Sequence, residues 1–229
     1  MPTTANGLRY PSLSAAPNVP QDVQNLASDV DTVYGPLLRR GPYVCTSTTR
    51  PSSPATGLEI YETDLRCVRI WDGSAWRIHD YDRQTYAPAE DFEVANDTST
   101  SQTYVPGTLH GVTFVAPPTG RVAIHFSGWV GSTAISGAGI YTYMSDYVRA
   151  GATLGSGTDV VTPSDDRALF FSLNNTAASG YKYVHDSANH QVTGLTPGAS
   201  YNVVTVFRCT VASGATSAVN KRWLRVEPA

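Results

Sequence analysis

Hydrolytic chemistry on a β scaffold needs two carboxylates converging in a groove, or a nucleophile with a base and an oxyanion hole. The chain offers two adjacent acidic pairs, Glu90-Asp91 and Asp165-Asp166, each in a turn-rich segment where such residues serve solvation and turn formation. The stretch HDSANH sets His185 and His190 around Asp186 across an expected turn, a spacing that can converge on an ion or mark a solvated hairpin tip. His79, Asp80 and Asp82 sit at a module boundary where polar linkers are expected, and neither group supplies the third and fourth ligands of a metal site. Cys45, Cys67 and Cys209 lack the close pairing of zinc or redox sites and read as buried thiols. A Cys45–Cys67 bridge requires that their strands pair and that the medium be oxidising. G-x-S-x-G, H-E-x-x-H and a Gly-rich strand-to-helix loop are missing from the sequence. Asn174-Asn175-Thr176 matches a glycosylation sequon without a secretory context. The expectation is a protein with no catalytic residues, no metal and no cofactor.

Binding is the better prospect. In GIYTYMSDYVR, strand alternation puts Tyr141 and Tyr143 on one face and Ile140, Thr142 and Met144 on the other. Trp129, Tyr181 and Tyr183 add aromatics to the same domain. Rings with a polar tip suit sugar faces and protein interfaces alike, and packing in the core or between subunits is the alternative use of the same residues.

The elements that must hold these residues are mostly strands. Tyr 13, Gly 19 and Pro 15 against Met 2 describe a chain rich in strands and turns, and 41% hydrophobic content is enough for a core. Charged residues are 15% of the chain and the net charge is −3, so neither nucleic acid nor an anionic membrane is expected as a partner. The N-terminal stretch lacks the basic and apolar regions of a signal peptide, and no run of about 18 apolar residues follows, so a chain made in the cytoplasm with no membrane insertion is expected.

Residues 1–18, rich in Pro, Ser and Thr, read as an extended attachment arm. A helix is expected over 19–38, with Asn18 as cap, Pro20 and Asp22 in the first turn, and Gly35-Pro36 as the stop. Val23, Leu26, Val30, Val33 and Leu37 recur at steps of 3, 4, 3 and 4, the a/d seam of a short coiled coil, whose economical partners are copies of itself. Packing on the chain's own β domain is the other reading of that stripe. Residues 42–82 give four short β runs, with Asp72-Gly73 at a hairpin turn, and read as a small β-meander stabilised by neighbours or copies. Residues 85–229 give some ten β runs with period-two alternation, as in Val122, Ile124 and Phe126, and read as a β-sandwich of jelly-roll type.

Three stretches resemble the minor tail, fibre and spike proteins of tailed bacteriophages, especially those infecting actinobacteria. ANGLRYPSLSAAPNVPQDVQNLASDVD is similar to their Pro-rich arm and short helix, and RPSSPATGLEIYETDLRCVRIWDGSAWRI to a meander widespread in phage fibres. FVAPPTGRVAIHFSGWV and GLTPGASYNVVTVFRCTVASGATSAVNKRWLRVEP look like their globular C-terminal head. The resemblance implies a homotrimeric virion protein held to other virion proteins by its N-terminal arm, its head facing a host-surface glycan or protein. The alternatives are a purely structural capsid-decorating, head-fibre or tail-plug protein and, third, a cell-surface polysaccharide depolymerase.

Overall fold

The computed structural model describes residues 19–33, 41–133, 140–173, 181–210 and 216–229, with the backbone alone at Val19, Asp31 to Val33, Thr133, Leu173 and Tyr181. The expected arm, Leu37, the Gly35-Pro36 stop and the Asn174 sequon lie outside the described residues. The chain divides into two compact units, Met1–Asp80 and Tyr81–Ala229.

In the first unit, helix α1 (Val19–Val33) begins with Pro20 and Asp22 in its first turn, where a missing N–H and a negative charge are both tolerated. Val23 and Leu26 of the expected seam are 59% and 45% exposed, so the described chain does not cover that stripe. A four-stranded sheet follows in the order β1 (Tyr43–Cys45), β2 (Glu59–Glu62), β3 (Cys67–Trp71), β4 (Trp76–Tyr81). It is not a simple meander, because β1 runs parallel to β2. Parallel neighbours need a long crossover, and the Pro- and Ser-rich stretch 46–58 supplies it. Glu62, fully buried on β2, holds that crossover by accepting from Arg50 Nε and, at 2.9 Å, from Arg69 Nε. Asp72 Oδ1 accepts from the amides of Ser74 and Ala75, both at 2.7 Å, which sets the hairpin that brings Trp71 and Trp76 to 5.4 Å. Because β1 and β3 each pair with β2 and not with one another, the strand condition for a Cys45–Cys67 bridge is unmet; both are buried free thiols.

The second unit is a two-sheet sandwich. One sheet runs β10 (Thr158–Val161), β9 (Ile140–Ala150), β13 (Ser200–Cys209), β7 (Gly111–Val115), with β11 (Leu169–Leu173) also on β9. The other runs β12 (Tyr181–Val192), β8 (Val122–Thr133), β14 (Ser217–Pro228), β5 (Ala89–Glu93), with β6 (Asp97–Ser99) also on β14. Taking β5 with β6, and β10 with β11, as interrupted edge strands, the spatial orders become 1-8-3-6 and 2-7-4-5, the double Greek key of a jelly roll. The even residues of β8 and β9 point inward: Val122, Ile124, Phe126, Val130, Met144 and Val148 meet Val203, Phe207 and Leu224 in the core. Thr142, also inward, donates to Gly131 O at 2.9 Å and lies 3.1 Å from Ser217 Oγ, tying the sheets together.

Two further readings of the sequence need correction. Glu90-Asp91 lies within strand β5, not in a turn. HDSANH is the middle of the twelve-residue strand β12, not a hairpin tip. Five residues along a strand reverse the face, so His185 and His190 point to opposite sides and cannot converge on one ion.

Candidate functional site

The outer face of the β11–β9–β13 sheet is built by register. Phe170 pairs with Tyr143, and Tyr143 with Arg208, so three neighbouring strands set these side chains in one row. Tyr141, two residues along β9, completes the cluster: its ring lies 5.5 Å from Phe170 at 21°, and Tyr143 lies 5.2 Å from Phe170 at 43°. Phe170 stands on a strand bonded to β9 alone and is 43% exposed. The Arg208 guanidinium lies 4.7 Å from the Tyr143 ring centroid and 5.6 Å from that of Tyr104, within cation–π range of both. Its Nε donates to Asp165 Oδ1 at 3.0 Å and its Nη2 to Asp165 Oδ2, while Tyr104 OH donates to Asp165 Oδ1 at 2.7 Å. The Arg208 hydrogen bonds hold the Asp165 carboxyl below its ordinary range. Burial and then the bond to Asp165 raise the Tyr104 phenol well above its own. Farther along β9, Arg149 lies 3.7 Å over Tyr147 and pairs with Asp159 at 3.1 Å.

The aromatics expected from the sequence therefore divide between the two sheets. Tyr141 and Tyr143 share the row just described, whereas Trp129 lies on β8 and Tyr181 and Tyr183 on β12, in the opposite sheet. Trp129, 39% exposed, meets His185 edge-on at 5.6 Å, and Tyr183 OH donates to Asn96 Oδ1 at 3.3 Å. Of the seam residues, Val23, Leu26, Val30 and Val33 lie on α1.

Sequence reading missed a group inside the sandwich. Asp146 on β9, fully buried, lies 3.4 Å from His190 Nε2 on β12 and 3.8 Å from Arg167 Nε in the 3-10 turn Asp165–Arg167. Neither carboxylate oxygen and neither imidazole nitrogen makes a hydrogen bond. Burial raises the Asp146 carboxyl, with His190 and Arg167 opposing it. A carboxylate closed off from solvent cannot meet a polymeric substrate, and the Arg167 cation disfavours a metal ion there. Among the described residues no group of three or more His, Cys, Asp or Glu could hold a metal. The even parity of Asp146 with Thr142 and Met144 was the one sequence signal for its inward direction.

A second interior group braces the other side of the sandwich. Arg222, fully buried at a bulge in β14, donates to Asp97 Oδ2 at 2.5 Å, Thr108 O at 3.1 Å and Pro106 O at 3.2 Å. Buried beside it, His110 Nδ1 lies 2.9 Å from Thr205 Oγ1; burial, and then Arg222, lower its pKa. Of the acidic pairs, Asp165 is committed to Arg208 and Tyr104, and Glu90 lies 3.6 Å from Arg225. A shallow cleft of about 230 Å³ between Gln84, Phe114, Ala152 and Ser200 has no ionisable group in its lining.

No protein-family model matches the chain, and no curated protein matches it. Among solved structures, it is similar to infectious bursal disease virus Gt strain, at 11% identity over 79% of this chain and 42% of that one, with a TM-score of 0.36. It is similar to the VP2 subviral particle of infectious bursal disease virus at 15% identity over 78% and 40%, with a TM-score of 0.35. The CBM22-1 xylan-binding domain of Paenibacillus barcinonensis Xyn10C matches at 15% identity over 62% and 86%, with a TM-score of 0.25. The chain spans about two fifths of the viral chains it matches. Likenesses this low carry no argument about fold or function.

Proposed function

We propose that this chain is a non-enzymatic structural component of a bacteriophage virion, a fibre or spike whose jelly-roll head makes contact with the host surface. The observation that carries the contact reading is the row Phe170–Tyr143–Arg208 with Tyr141. It is a solvent-facing set of rings and a paired guanidinium on a sheet whose other face is the packed core. Residues used only to hold a fold together gain little from standing outward in this way. Half-buried rings fixed by strand register, with the exposed Phe170 among them, are pre-organised for a partner, which lowers the ordering cost of binding.

The absence of catalysis belongs to the same reading. It is supported by the full burial of Asp146 beside His190 and by the commitment of Asp165 to Arg208 and Tyr104. A homotrimer is the assembly proposed, with the exposed Val23 and Leu26 stripe of α1 packed against the same stripe of two further copies. Three copies on one stalk raise avidity without a tight single site. The N-terminal arm is proposed to join the chain to other virion proteins, as the resemblance to phage fibres implies. Neither nucleic acid nor membrane is proposed as a partner; among the described residues no helix is long and apolar enough to cross a membrane.

The test is competition. Host cells pre-incubated with the purified chain should adsorb fewer virions, in proportion to the chain bound. Unchanged adsorption at saturating chain would remove the host-contact role and leave a capsid-decorating or tail-plug role.

A further inference from the structure

Resting on the host-contact reading, we propose that Phe170, Tyr143 and Tyr141, with the Arg208–Asp165 pair and Tyr104, form a subsite for an uncharged saccharide. Three features of the face select that ligand class. The first is charge. Arg208 is neutralised by Asp165, and Arg149 farther along is neutralised by Asp159. A charged ligand would have to break one of these pairs, whereas a hydroxyl can join them. A guanidinium has five N–H donors, and Asp165 takes the Nε and Nη2 donors. The pair thus offers donors and a carboxylate acceptor side by side to an uncharged polyol, which both donates and accepts.

The second feature is shape and size. Phe170, Tyr143 and Arg208 occupy adjacent strands, so the row is about 10 Å across by strand spacing, the length of a disaccharide. Apolar ring surface at one end and a hydrogen-bonding pair at the other match the C–H patches and hydroxyl edges of a pyranose. A protein partner would ask for more: a stable protein interface buries roughly 800 Å² on each side, and Phe170 is the one large apolar side chain of this cluster that is exposed.

The third feature is order. Strand register fixes the rings, the cation–π contacts to Tyr143 and Tyr104 fix Arg208, and the Tyr104 hydroxyl fixes Asp165. Little side-chain freedom is left to lose when a ligand arrives.

Electrophoresis of the full chain through gels containing dextran, mannan, galactan or alginate tests this directly. At least one of the three neutral polymers should retard the chain, and alginate, a polyuronate, should not. Phe170→Ala and Tyr143→Ala should each weaken retardation about fivefold, the factor expected from losing a ring contact of order 1 kcal/mol. Phe92→Ala, exposed on the opposite sheet, should leave it unchanged. Phe170 lies outside the core and packs on the Tyr141 and Tyr143 rings alone among the aromatics, so its alanine variant should still melt in one cooperative transition well above the assay temperature, which separates lost binding from lost folding. No retardation by any neutral polymer, retardation by alginate alone, or ring variants that bind like the parent would each overturn the subsite. So would binding to cell envelopes that survives periodate cleavage of vicinal diols and is lost on proteinase treatment. Virion competition reads host contact whatever the ligand: competition without retardation fails the saccharide alone, and retardation without competition fails the host-contact reading alone.

Discussion

Replacing Arg222 by alanine should unfasten the jelly roll from the inside. Arg222 is fully buried, and its removal leaves the Asp97 carboxylate, whose side chain is 13% exposed, without its counter-charge. The carbonyls of Pro106 and Thr108 lose a donor in the same step. Breaking a buried pair by removing one partner costs about 3–5 kcal/mol. Asp97 keeps two hydrogen bonds from Thr108, at 2.9 and 2.8 Å, which places the loss near the low end, about 3 kcal/mol. Native-state hydrogen exchange of the β8 and β13 amides reads the jelly roll separately from the four-stranded unit. A loss of this size accelerates their exchange about 150-fold where exchange requires global opening. Arg222→Met, which restores volume but not donors, should remain well below the parent, and pairing it with Asp97→Leu should recover stability, because both charges then leave together. Acceleration by Arg222→Ala of less than about fivefold, equivalent to under about 1 kcal/mol, would refute the reasoning. It would mean that the guanidinium is not what holds the 106–108 segment to the sheet.

Other outcomes follow from the same structure. His110 is buried with its pKa held below the ordinary 6.5, so the unfolded chain binds the extra proton; its stability contribution is full above 6.5 and is lost as pH falls below it. Stability measured by denaturant from pH 7 to 5 should therefore fall less steeply in His110→Gln than in the parent, and equal slopes would contradict the burial argument. A Cβ on Gly131 would sit 2.1 Å from the Lys182 carbonyl oxygen and 2.5 Å from Tyr183 Cδ1, so Gly131→Ala should push β8 from β12 and cost about 1–3 kcal/mol, read as a lower melting temperature. Burial pushes the Cys67 thiol up to about 11, which keeps it unreactive in the folded chain. Glu62→Ala, which strands Arg50 and Arg69, should expose it to a thiol reagent at neutral pH. Leu26→Asp should turn a trimer into monomer by light scattering, and a parent mass already near 24.5 kDa would sink the trimer proposal.

The period-two alternation made much of the sandwich legible. Ile140, Thr142 and Met144 point inward, and Tyr141 and Tyr143 outward, as their parity requires, because a strand between a core and solvent leaves few other arrangements. What alternation cannot supply is register. Nothing local in Phe170 or Arg208 says that each lies beside Tyr143, since those pairings join strands tens of residues apart. The same gap hid the interior group: Asp146 could be assigned a face, but His190 and Arg167 reach it only once the sheets are stacked. HDSANH misled through composition, since His, Asp, Ser and Asn favour turns, yet twelve residues of pairing with β8 hold it extended. The parallel β1–β2 pair escaped notice because a crossover of Pro and Ser looks like any loop until Glu62 gathers Arg50 and Arg69.

The central claim, a structural place in a virion, is tested most directly by labelling intact particles that carry this gene with antibody to the jelly-roll head and viewing them by electron microscopy. Label is expected at a fixed exterior position on the untreated particle, with copy number per position a multiple of three by quantitative mass spectrometry. Particles that are free of the chain after purification, while it accumulates unassembled in the infected cell, would contradict it.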